Sequence, residues 1–66
     1  MNQIALKQAI KDSGYRMDFI AKTLGISYQG FYNKVNSETE FRISEIKALC
    51  SLLKLDTEKM YSIFFD

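Results

Sequence analysis

Sixty-six residues make one domain, which buries only roughly 60% of the surface its unfolded chain exposes and leaves little room for a second function. Hydrophobic content of 47%, with no proline and three glycines, favours compact helices over strands or disorder. A formal charge of +1 gives no strong overall pull toward nucleic acid, and the lack of histidine with a single cysteine excludes an internal disulfide and leaves no ligand set for zinc.

A first helix is predicted from Gln3 to Ser13, with Asn2 as its cap, Leu6, Ala9 and Ile10 as its core stripe, and Gly14 as its stop. A second is predicted from Met17 to Leu24. Ile20 and Leu24 are four apart and define its buried face, and Ala21 lies where a larger side chain would hold the next helix off. Gly25 can take the left-handed conformation that closes a helix, with Ile26 behind it as a plug for the elbow. Ser27 can cap a third helix, in which Phe31 and Val35 form the buried stripe. Residues 37–40 read as a polar, acidic connection anchored at its far end by Phe41. A fourth helix is predicted from Ile43 to Leu53, with Ile46, Leu49, Cys50 and Leu53 at i, i+3, i+4 and i+7. In that stripe Cys50 reads as a small core residue, not a reactive thiol. Asp56 can cap a last helix, Thr57 to about Phe64, with Met60, Ile63 and Phe64 on one side and Tyr61 and Phe65 on another. No repeat, linker or alternating strand pattern interrupts residues 1–66. The longest apolar runs fall far short of a membrane span or a signal core, so an intracellular protein without metal or other cofactor is expected.

The functional signal lies on the third helix. Stepping 100° per residue from Phe31 and Val35 places Gln29 and Asn33 opposite the core, flanked by Tyr32 and Gly30. A side-chain amide offers a donor and an acceptor together and matches the N6 and N7 edge of adenine in the major groove of DNA. Tyr28 and Tyr32 add ring edges for thymine methyls and hydroxyls for phosphates. Gly30 lowers helix propensity by about 1 kcal/mol against alanine, which suggests close approach by a backbone or by the second helix. The plainer reading is that the amides are solvated and Tyr32 covers the core. Charge weighs on the first side: Lys7, Lys11, Arg16, Lys22 and Lys34 against Asp12 and Asp18 give residues 1–36 a net +3, while residues 37–66 carry −2. If the positive half faces a duplex, Lys34 and Arg16 are its expected phosphate contacts.

The run FIAKTLGISYQGFYNKVN resembles the helix-turn-helix of the phage Cro and repressor group. That pattern has an apolar residue before Ala, Gly at the turn, an apolar residue after it and another five further on, places held here by Ile20, Ala21, Gly25, Ile26 and Phe31. The run FYNKVNSETEFRISEIKALCSLLKL and the terminal IFF are similar to the third helix, polar loop, fourth helix and short final helix of small Cro-like phage regulators. The resemblance implies an all-α, five-helix lambda-repressor-like domain, with base-reading roles at Ser27, Tyr28, Gln29, Tyr32 and Asn33. It also implies phosphate contacts near the start of helix 2 and after helix 3. Family members commonly begin helix 2 with a threonine cap and a glutamine that touches the DNA backbone, where this chain has Arg16 and Met17. Met17 cannot make that bond, which leaves Arg16 or Tyr15 for the phosphate. With no arginine on helix 3 to read guanine, a site rich in A·T is expected.

The expected function is therefore that of a transcriptional regulator binding a double-stranded operator, in a phage or prophage control region and in the cytoplasm of a bacterial host. No histidine, Gly-rich phosphate loop or nucleophile with a base partner suggests an enzyme or a small-molecule substrate. One rival is a protein-protein module, an antirepressor or adaptor on the same fold, and another is a structural oligomer built on the aromatic C-terminal helix. Tyr61 and Phe65, four apart, are expected either to meet a second subunit in a weak homodimer formed on DNA or to fold back over helix 1 or helix 4.

Overall fold

A computed structural model describes residues 1–65, which form five helices and no strand: α1 (Gln3–Ser13), α2 (Met17–Leu24), α3 (Tyr28–Val35), α4 (Ile43–Leu53) and α5 (Thr57–Phe64). Their starts follow from local chemistry. Asn2 Oδ1 accepts from the Ala5 N–H at 3.0 Å, Ser27 Oγ from the Gly30 N–H at 3.0 Å, and Asp56 Oδ1 from the Lys59 N–H at 2.8 Å. Each bond satisfies a first-turn N–H that has no partner within its helix. The residues before α2 and α4 are Arg16 and Arg42, which offer no such acceptor, and an acidic side chain inside the first turn substitutes. Asp18 Oδ1 takes the Phe19 N–H at 3.0 Å, and Glu45 Oε1 reaches back to the Arg42 N–H at 2.8 Å.

The ends are as local as the starts. Gly25 closes α2 at φ 76°, in the left-handed region, with its N–H on the Lys22 carbonyl and the Ile26 N–H on the Ala21 carbonyl. Lys54 closes α4 with the same pair of bonds at φ 56°, a conformation in which its Cβ is crowded. Lys54→Gly is therefore expected to stabilise the domain by about 0.5–1 kcal/mol, read as a higher urea midpoint at unchanged slope. An unchanged or lower midpoint would mean that the lysine stem contributes packing that offsets its backbone strain.

Leu6 and Ile10 of α1, Ile20 and Ala21 of α2, Phe31 and Val35 of α3, Leu49 of α4 and Ile63 of α5 meet in one core. The expected stripes supply all of these but Ala21, whereas Ala9, Leu24, Leu53 and Phe64 of the same stripes are only partly buried against the cluster. Cys50 is buried, and burial pushes its thiol pKa up, away from thiolate chemistry. Phe41 ties the α3–α4 connection to both ends of the core. Its ring meets Phe31 at 6.1 Å and Phe64 at 5.6 Å, both near edge-on, the arrangement that aromatic quadrupoles prefer. α1 packs on α3, α4 and α5, and the Asn2 N–H donates to the Ile63 carbonyl at 2.7 Å, so the first helix begins against the last. α2 packs on α3 and α4, across a turn of three residues, 25–27, from α3.

Candidate functional site

Burial of Phe31 and Val35 leaves the opposite side of α3 in solvent, where Ser27, Tyr28, Gln29 and Tyr32 are exposed and Asn33 is half-buried. The amides are not independent. Gln29 Nε2 donates to Asn33 Oδ1 at 2.9 Å, one turn along the helix. That bond leaves the Gln29 carbonyl as an acceptor and the Asn33 NH₂ as a donor, so the pair presents both kinds of group outward. Tyr28 and Tyr32 stack at 6.4 Å between ring centroids. Ser27, with its oxygen engaged by the Gly30 N–H, keeps its own hydroxyl proton free to donate.

Gly30 is explained differently from the expectation. A Cβ built there meets neither α2 nor any backbone; the atom in its way is Ser27 Oγ, at 3.0 Å.

Lys34 is already engaged within the domain. Its Nζ lies 2.9 Å from Glu45 Oε1 and 3.0 Å from the Glu40 carbonyl, with the Phe41 ring centroid 6.0 Å away. The two side chains retain only 15% and 9% of their exposure, so the ammonium is turned toward α4 and a phosphate would have to compete with Glu45 for it. Burial pushes the Glu45 carboxyl pKa up, but the Arg42 N–H and the Lys34 ammonium outweigh it and hold it below the usual carboxylate range. Sequence reading passed over Glu45. Its position four residues before the fully buried Leu49, on the core stripe of α4, is the signal that would have found it.

Arg16 and Tyr15 lie at the start of α2, apart from the α3 cluster. Arg16 Nε pairs with Asp18 Oδ1 at 3.2 Å, but both side chains are largely exposed, so the pair is weak and open to exchange for another anion. Tyr15 is partly exposed and leans on Phe19 at 5.2 Å. Lys7, Lys11 and Lys22 have no carboxylate partner among the described residues.

Tyr61 and Phe65 are 58% and 53% exposed, their rings 5.4 Å apart. Phe65 therefore does not complete the core over α1 or α4; it borders an open groove shared with Met1, Phe41, Ile43 and Phe64. No helix among the described residues is long and apolar enough to cross a membrane, and no group of three or more acidic or cysteine side chains there could hold a metal ion. No protein-family model, curated protein or solved structure matches the chain.

Proposed function

We propose that the chain is a sequence-specific DNA-binding regulator, with α2 and α3 acting as the helix-turn-helix of a lambda-repressor-like domain and α3 entering the major groove. The observation that carries this reading is the Gln29–Asn33 amide pair, held outward on the side of α3 opposite Phe31 and Val35 and flanked by the stacked tyrosines. A preorganised donor and acceptor on a projecting helix is the chemistry that distinguishes an A·T pair by its base edges. The resemblance to phage Cro-like regulators adds to it, and with it the cytoplasm of a bacterial host as the place of action. No enzymatic role is proposed.

The test is affinity for duplexes selected from a random pool, measured from 50 to 200 mM salt. A regulator of this kind prefers particular sequences and loses affinity steeply as salt rises. Sequence-independent binding would mean that α3 does not read bases, and no binding would favour the rival in which half-exposed Tyr28 and Tyr32 meet a protein, as in an antirepressor or adaptor.

A second subunit is proposed to meet the first through Tyr61 and Phe65, setting two α3 helices about 34 Å apart on successive major grooves. Phe65→Ala or Tyr61→Ala should then abolish cooperative binding to paired half-sites while one half-site is bound as before. Both rings are exposed, so the melting temperature should hold. Full cooperativity in both variants would place the contact elsewhere.

A further inference from the structure

Between α1 and α3 lies an open groove of about 300 Å³ with Ile10 and Val35 among its apolar lining and Lys7, Lys11, Tyr32 and Asn36 among its polar lining. No carboxylate lines it. Lys7 and Lys11 stand one turn apart on α1, a spacing at which like charges repel and which an anion between or beside them relieves. Asp12, the acid nearest in sequence, is engaged by the Gln8 amide at 2.8 Å. The partner Lys7 does have is neutral: its Nζ donates to Asn36 Oδ1 at 2.9 Å, and Asn36 Nδ2 in turn donates to the Tyr32 carbonyl at 2.9 Å. That chain of bonds places the ammonium and leaves its charge and two further N–H donors unspent.

The groove adjoins the amide face. Tyr32 belongs to both, and Asn36 follows Asn33 by three residues and Gln29 by seven, which is about 10 Å along a helix axis. A major groove is about 12 Å wide between its phosphate walls. With the first turns of α3 over the base edges, its far end and the adjoining α1 lysines arrive at one wall.

We infer that Lys7 and Lys11, positioned by Asn36, form a phosphodiester clamp: a DNA phosphate accepts from the two ammonium groups at the rim of this groove. The inference rests on the reading that α3 enters a duplex, and it puts the phosphate contact on α1 where Lys34 had been expected to supply it.

The experiment compares the chain carrying Lys7→Gln and Lys11→Gln together with the unaltered protein, on a selected duplex and on duplex of random sequence, from 50 to 200 mM salt. Lys47→Gln with Lys59→Gln, on α4 and α5, is the control, and thermal melting verifies that both variants are folded. The clamp predicts that the slope of log affinity against log salt becomes shallower by about one unit, for the one phosphate it neutralises. It also predicts equal weakening on both duplexes, with the preference between them unchanged, while the control keeps the original slope. An unaltered slope in the folded Lys7 and Lys11 variant overturns the clamp and leaves base reading by α3 standing, as does an equal change in the control. If the unaltered protein fails to bind duplex at any salt, the clamp and the reading of α3 fall together.

Discussion

Lys34→Ala is expected to destabilise the domain by about 3 kcal/mol, because removing one member of a buried ion pair leaves the other charge without its counterpart. Glu45 would keep only the Arg42 N–H, at 2.8 Å, in a site where its side chain is 9% exposed. A domain of this size has a total stability of roughly 3–10 kcal/mol, so the single substitution should lower the urea midpoint severely or unfold the chain. Replacing both partners, Lys34→Met with Glu45→Leu, should recover part of that loss, since two apolar groups of similar volume have no charge to desolvate, but not the roughly 1 kcal/mol lost with the Glu45 cap on the Arg42 N–H. A cost below about 1 kcal/mol for Lys34→Ala would mean that the pair acts as an ordinary surface bridge.

The same pair predicts an acid limb. The Glu45 pKa is lowered in the folded state, so as pH falls the unfolded chain takes up its proton first. Its contribution is complete above the unfolded carboxylate value, about 4.3, and disappears as pH falls through the folded value. The Lys34→Met, Glu45→Leu variant should lack this part of the acid sensitivity. If it is folded, it should also bind duplex with the salt slope of the unaltered protein, because Lys34 is directed toward α4.

Gln29→Ala and Asn33→Ala are each expected to cost about 1–3 kcal/mol on the preferred duplex, roughly 5- to 150-fold in affinity, with little change on random sequence. Thermal stability should barely move, because an i,i+4 amide pair on a helix surface contributes only about 0.2–0.5 kcal/mol. The Gln29–Asn33 bond makes a further demand: each single substitution breaks the pair, so the double variant should cost less than the sum of the two. Equal loss on every sequence would show that these amides do not discriminate bases, and strict additivity that they act apart.

The elements of this fold were legible because their signals are local. Asn2, Ser27 and Asp56 lie three residues before the N–H groups they cap, Gly14 and Gly25 supply the left-handed turns, and the apolar stripes repeat within two helical turns. Such interactions involve neighbours whose separation helix geometry sets in advance, so five helices and most of the core residues could be read from local spacing alone. The outward position of Gln29 and Asn33 follows from the same periodicity.

Contacts between helices depend on how one is placed against another, which local spacing does not specify. Lys34 and Glu45 are eleven residues apart across a loop, and Lys7 and Asn36 are twenty-nine apart on different helices. Charge along the chain directed Lys34 to a duplex, but nothing local could say that α4 passes it with a carboxylate; the groove at Lys7 and Lys11 stayed unseen for the same reason. At Gly30 the spacing left two kinds of neighbour open, and only the packed helices show that α2 is not the one. Whether Phe65 turns inward depends on how much core the other helices leave to fill, and Phe41 and Phe64 already cover that side through their edge-on contact. A helical period specifies the direction of a side chain about its own axis, and the packing angle between helices specifies what it meets.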